Sequence, residues 1–220
     1  MSVFQITIFF LYIIAGSLIA ATRLSRFESQ KQLYLLIAVF CCITGLLWHT
    51  WTFWFAVVAP EGLSLSLGNT VSFIGLQLAL TALISAISPS LRGVSGGLLL
   101  LAAFASLLTS GEAPEIGADE ISWQLRSHVL ISLFAYGLLA VGAIVSVYAL
   151  IQENRLQAGK LSAVNQLFAP LETTEKLLFG VTSAGFLVLV VAVSSGFAFV
   201  ENLFAQHLVH KTTLSLLALT

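Results

Sequence analysis

Four histidines, His49, His128, His207 and His210, are the side chains best suited to chemistry in this sequence. A neutral imidazole is a good ligand for haem iron and for other transition metals. His128 stands directly before 23 uncharged residues, 129–151, with Trp123 and Arg126 just ahead of it. A guanidinium there can hold a propionate or phosphate through a forked pair of hydrogen bonds. It can equally extend towards water, and a histidine at a membrane surface can simply be solvated. His49 lies within another apolar run, about 15 Å short of its end by helix rise, where an imidazole loses hydration and needs a partner. It reads either as a haem or metal ligand or as a neutral histidine donating to a backbone carbonyl. Trp48, Trp51 and Trp54 recur beside it at helical spacing. They suit a wall for a flat aromatic ligand, and they suit an interfacial belt. His207 and His210 are three apart and would share one face of a helix. His207 reads as a loop residue, while His210 precedes a last apolar run much as His128 precedes its own.

Other chemistries have little to stand on. There is no GxSxG, HExxH or phosphate-cradling glycine loop. The acids sit between the apolar runs, which counts against a proton-coupled carrier, since those usually hold an Asp, Glu or Lys near the midplane. Cys41 and Cys42 are adjacent, with no CxxC or CxxCH, so neither a thioredoxin-like pair nor covalent haem attachment is indicated. They read as small core-filling residues.

The elements that must position the histidines are apolar helices. Of 220 residues 58% are hydrophobic and 9% charged, and the mean hydropathy is +1.00. A soluble domain carries about 25% charged residues. The apolar runs are continuous rather than alternating, which predicts a polytopic bundle of transmembrane helices, all-α, and not a barrel. The formal net charge of −1 gives no footprint for nucleic acid. Six spans are expected, over about 3–21, 33–59, 71–87, 94–108, 129–151 and 177–200, with a truncated seventh at 212–220. Together they make 1–220 a single transmembrane helical domain. The fourth is the shortest. The first lacks the positive region of a cleaved signal peptide and is expected to be retained. The stretch 156–176, which contains Gly159 and Pro170, alternates apolar with polar residues and reads as an interfacial piece.

Loop charges orient the bundle. Arg23, Arg26, Lys31, Arg92, Arg155, Lys160 and Lys176 fall on one side, against Arg126 and Lys211 on the other. The positive-inside rule then places the N-terminus outside the cytoplasm. If the fourth span failed to cross, that split would become incoherent. With this orientation all four histidines and all four tryptophans lie in the outer half or on the outer face.

Two stretches resemble the cytochrome c assembly family of membrane proteins, of the CcsA/CcmC type. In SWQLRSHVLISLFAYGLLAVGAIVSVYAL the similarity rests on Trp123, His128 and the Ala135–Tyr136 step. In PLETTEKLLFGVTSAGFLVLVVAVSSGFAFVENLF it rests on Leu171, Glu172, Gly185, Phe186, Ser195 and Gly196. The resemblance covers about the second half of the chain. It implies a haem cofactor, expected as haem b, with His128 as an external iron ligand. It also implies a ligand within the membrane, for which His49 is the candidate by position. His210 joins them as a further candidate, and Arg126 and Trp123 as binding residues around the macrocycle. The loop ENLFAQHLVHKTTLSL departs from the family, because it has no tryptophan where haem-delivering members carry a Trp-Asp signature. In this the chain departs from the members that ligate haem to cytochromes and is more similar to the HemX-like branch. A second external ligand is expected beyond Thr220, so the chain is either a fragment or has an incomplete haem site.

The reading is therefore a haem-handling protein of the bacterial inner membrane, binding or relaying haem without turnover. Its expected partners are lipid, haem and either another membrane assembly factor or an apocytochrome. The competing readings are a membrane scaffold that binds no haem and a small-solute permease.

Overall fold

The computed structural model describes residues 2–57, 62–64, 66–109, 116–117, 122–159 and 169–199. Six helices carry the chain: α1 (Val3–Ala21), α2 (Lys31–Val57), α3 (Leu67–Ser85), α4 (Arg92–Ser106), α5 (Trp123–Gln157) and α6 (Leu171–Phe199). Each, with the short 3-10 turns that lead into α2 and α4, is long and apolar enough to cross a membrane. The protein is a polytopic helical bundle, as its uninterrupted apolar runs require.

Local chemistry sets the ends. Ser2 caps α1 in a reciprocal capping box: its hydroxyl accepts from the Gln5 N–H at 3.3 Å, and its own N–H donates to Gln5 Oε1 at 2.6 Å. Ser122 caps α5, accepting from the Leu125 N–H at 3.3 Å. Gly159, in the left-handed region at φ 60°, follows the last residues of α5. The short fourth span is completed by the turn Pro89–Leu91, which extends the crossing to Pro89–Ser106.

The fifth helix differs most from expectation. The apolar run 129–151 marks only the part in lipid, whereas the helix starts at Trp123 and ends at Gln157. At 1.5 Å per residue it is about 52 Å long, against about 30 Å of hydrocarbon. His128 therefore sits in the second turn of α5 and not in a loop before it. The sixth helix likewise begins at Leu171, so Leu171 and Glu172 belong to its first turn.

Each helix buries one stripe and gives the remainder to lipid. In α1 the stripe is Gln5, Ile8, Tyr12, Ala15, Gly16 and Ile19, and in α2 it is Ala38, Cys42, Gly45, His49, Phe53 and Val57. These are the three- and four-residue steps of a helical face. Helix α1 packs on α2 and α4, α3 on α4, α2 and α5, and α5 on α6. The α1–α4 crossing is close because Gly16 and Gly96 face each other: a Cβ on either would lie 2.9 Å from the other's carbonyl oxygen. Two residues from each of two loops, Gly62–Leu63 (β1) and Ile116–Gly117 (β2), pair antiparallel, tying the α2–α3 connection to the α4–α5 connection. Cys42 is buried on the core stripe and Cys41 is half-buried, both as free thiols. The expected seventh span, 212–220, lies outside the described residues. Of the segment 156–176 expected at the interface, 160–168 lie outside them too, while its two ends belong to the last turn of α5 and the first turns of α6.

Candidate functional site

His49 is wholly buried where α1, α2 and α3 meet. Its Nδ1 lies 3.2 Å from the Tyr12 hydroxyl and its Nε2 2.9 Å from Ser72 Oγ. Ser72 Oγ in turn lies 2.6 Å from Thr109 Oγ1, which donates to the Ser106 carbonyl at 3.3 Å. Donor accounting gives the chain one direction. Every hydrogen of the buried chain finds an acceptor in one arrangement: Tyr12 O–H donates to Nδ1, Nε2–H to Ser72, Ser72 O–H to Thr109 and Thr109 O–H to the Ser106 carbonyl. The Thr109 carbonyl also accepts from Gln5 Nε2. Four helices are thus joined through one imidazole with both nitrogens engaged. The partners are side-chain hydroxyls, not the single backbone carbonyl of the simpler reading.

The tryptophans do not share this interior. Trp48, Trp51 and Trp54 are all exposed on the outward face of α2, with Phe4 edge-on to Trp48 at 5.9 Å. They lie on the opposite side of the helix from the His49 stripe, as an aromatic belt does.

His128 has a different setting. It is half-buried at the α5–α6 contact, with Nδ1 2.9 Å from Ser195 Oγ. The Ser195 hydroxyl donates to the Ala192 carbonyl at 2.7 Å. Gly196 lets the ring lie against the α6 backbone, since a Cβ there would come within 3.0 Å of His128 Cε1. No hydrogen bond to Nε2 is made among the described residues. An imidazole held at one nitrogen and unengaged at the other suits an axial iron ligand. Among the described residues no three of His, Cys, Asp and Glu gather around a common point, so a polydentate cation site is not formed there. A haem asks for only one or two axial side chains, a smaller demand than such a cluster.

The two histidines lie towards the same end of the bundle but are not brought together. Phe53 and Val57, above His49 on α2, pack with Phe73 of α3 and with Leu130 and Leu133 of α5. Phe53 stacks on Phe73 at 4.9 Å, and Phe134 meets Phe73 at 6.3 Å. Phe53 is one turn beyond His49, and His128 is six residues beyond Phe134. By helix rise the histidines are about 15 Å apart along the bundle, with this aromatic layer between them.

Arg126 is half-buried and Trp123 exposed on the outermost turns of α5. Two positions from His128, Arg126 projects from another side of the helix. His207 and His210 lie outside the described residues. Tyr12, Ser72 and Thr109 carry no motif that the sequence advertises beyond being polar groups in or beside apolar runs. Gln77 of α3 belongs to no motif either: it is buried against Gly137 of α5, and neither amide atom has a hydrogen-bond partner among the described residues. Its signal was available, because an amide within an apolar span always needs an explanation.

Over 91 residues the chain is 31% identical to "Inner membrane protein YpjD" of Escherichia coli strain K12 and, equally, of strain O157:H7. That alignment takes in 41% of this chain and 34% of the relative. A protein of Azospirillum brasilense described as "Uncharacterized 28.8 kDa protein in nifR3-like 5'region" is 27% identical over 120 residues, 54% of this chain and 44% of that one. The matched stretch thus spans about a third to under half of the length of these curated relatives. No solved structure matches the chain. The model of one protein family, "Cytochrome C assembly protein", matches residues 3–220, and with nearly every residue covered, including the first-half helices that carry no recognisable motif, this multi-pass membrane protein belongs to the cytochrome c assembly family.

Proposed function

We propose that the protein is a haem-binding component of cytochrome c biogenesis in the bacterial inner membrane, with His128 as an axial iron ligand on the outer side. The observation that carries this reading is the state of the His128 ring. One nitrogen is pinned by α6, and the other makes no hydrogen bond among the described residues. Membership of the cytochrome c assembly family supports the class of cargo. The designation of the Escherichia coli relatives as inner membrane proteins supports the location.

In this reading the chain's own residues bind and orient. His128 supplies the lone pair, and Gly196 leaves the ring room against α6. Arg126, on another side of the same turn of α5, supplies a cation for a propionate at the rim of the macrocycle, and exposed Trp123 an aromatic plane at the membrane surface. Bound as haem b, the macrocycle would bring an iron whose potential depends on its axial ligands and their hydrogen bonds. His210, outside the described residues, is the candidate for a second ligand. His49 could ligate only by giving up Tyr12 at Nδ1 or Ser72 at Nε2, so the proposal assigns it first to holding the bundle together. Binding and relay to an apocytochrome or a further membrane assembly factor require no turnover.

Absorbance tests this directly. Protein purified from haem-replete cells should show a Soret band that weakens strongly in His128→Ala and persists in His49→Ala. A band lost in His49→Ala but kept in His128→Ala would exchange the two roles. No Soret band in the intact protein would leave a membrane scaffold, the reading that the closed hydrogen-bond chain at His49 favours.

A further inference from the structure

We infer that Ser195 is a positioning residue that fixes His128 as its Nδ1–H tautomer and so makes Nε2 the donor atom offered to iron. The inference rests on the haem-binding reading above, but it starts from two hydrogen bonds made by one hydroxyl. Ser195 has one hydroxyl hydrogen, and at 2.7 Å it goes to the Ala192 carbonyl of the preceding turn of α6. At its 2.9 Å contact with His128 the oxygen can then only accept. Nδ1 must carry the proton, and in a neutral imidazole Nε2 then holds the lone pair.

The neighbouring residue completes the device. Gly196 lies under the same ring, its virtual Cβ 3.0 Å from Cε1 and 3.6 Å from both nitrogens. A side chain there would press on the ring and loosen its contact with Ser195. The Ser-Gly pair thus has two separable duties towards one histidine on another helix: the serine sets the tautomer and the glycine sets the ring's approach. At His49 the same accounting gives the opposite tautomer, with Nε2–H spent on Ser72. The two imidazoles are therefore sorted by hydroxyl partners, one closed and one left with a nitrogen to offer. Orienting hydrogen bonds of this kind typically matter about 10–100-fold in metal affinity.

The tautomer can be read without any haem present. Full-length protein labelled with nitrogen-15 in its histidines, free of haem and held near pH 9 where imidazole is neutral, should give a pyrrole-type Nδ1 and a pyridine-type Nε2 for His128. The signals are assigned by their loss in His128→Ala. Ser195→Ala should move them towards a mixture of tautomers and weaken haem binding by about 10–100-fold, while Ser195→Thr should restore both. Gly196→Ala should displace the ring signals with Ser195 intact. An Nε2–H tautomer in the unaltered protein, or signals indifferent to Ser195→Ala, would overturn the positioning role. If the Nδ1–H tautomer is found, depends on Ser195, and the protein still takes up no haem on titration, the positioning role is upheld and the ligand reading fails.

Discussion

The Tyr12 hydroxyl lies 3.2 Å from Nδ1 of His49, and both side chains are wholly buried. In a bilayer neither group has water as an alternative partner, so each depends on the other. Gly45 makes the meeting possible, since a Cβ there would stand 2.8 Å from the Tyr12 ring. The relationship ties α1 to α2 at the depth where Ser72 ties α2 to α3.

Tyr12→Phe should therefore lower stability by about 0.6–2 kcal/mol, the usual range for a hydrogen bond between membrane helices. His49→Ala should cost more, because it also strands Ser72 and leaves a cavity. In a double-mutant cycle the two changes should couple, the double variant losing less than the sum of the singles. The measurement is the unfolding midpoint of detergent-solubilised protein. Strict additivity would show that the pair does not act as a unit.

The α1–α4 crossing makes a second prediction, which separates two adjacent glycines. Gly96 faces Gly16 backbone to backbone, whereas a Cβ on Gly97 meets nothing within 4 Å. Gly93 and Gly97 stand four residues apart in the same stretch, yet the contact falls on Gly96. Gly96→Val should force the helices apart and destabilise by roughly 1–3 kcal/mol, as overpacking does. Gly97→Ala should be neutral or gain about 0.5–1 kcal/mol from helix propensity. Equal behaviour of the two variants in the same unfolding assay would place the crossing elsewhere.

The contrast shows what the residues disclosed in advance. Apolar run lengths dictate six crossings because lipid leaves the backbone no other solution, so the bundle was legible from composition alone. Helix ends were less so: α5 runs past its apolar core at both ends, since Arg126, His128 and Arg155 are compatible with helix but not with hydrocarbon. His128 stood out because it borders an apolar run, and the Ser195–Gly196 step was visible as part of a resemblance. That these two features touch was not, because spacing along one helix says nothing about its register against another. His49 was legible as a buried imidazole in need of partners. Its partners were hidden, as Tyr12, Ser72 and Thr109 come from three other parts of the chain and mean something only once packed.

Orientation yields a third prediction. Basic residues at Arg23, Arg26, Lys31, Arg92, Arg155, Lys160 and Lys176 oppose two at Arg126 and Lys211, which places the ends carrying Arg23 and Arg155 in the cytoplasm. Reporter fusions should then be periplasmic after residue 120 and cytoplasmic after residues 24 and 158. The same experiment tests the short α4, because failure of Pro89–Ser106 to cross would send the 120 and 158 fusions to the opposite sides. A cytoplasmic signal at 120 would also remove His128 from the outer face and with it the proposed haem site.

Gln77 supplies the last prediction. It is buried between α3 and α5, its amide lying on Gly137, and both amide atoms lack hydrogen-bond partners among the described residues. Leaving a buried donor or acceptor unsatisfied costs about 1–3 kcal/mol. Gln77→Met keeps the length of the side chain and removes both polar atoms. If the amide has no partner in the membrane, the variant should be more stable by about 1 kcal/mol or more, with its Soret absorbance unchanged. A loss of stability would mean that the native amide is satisfied by something that enters the α3–α5 seam, such as a bound water. Gln77 lies five residues from Ser72 on the same helix, and Phe134, one turn from Gly137, belongs to the aromatic layer beneath His128. A guest there would therefore be close to the layer dividing the two histidines, and Gln77→Glu, which keeps the shape while altering the donors, would distinguish a hydrogen-bonded guest from a simple packing role.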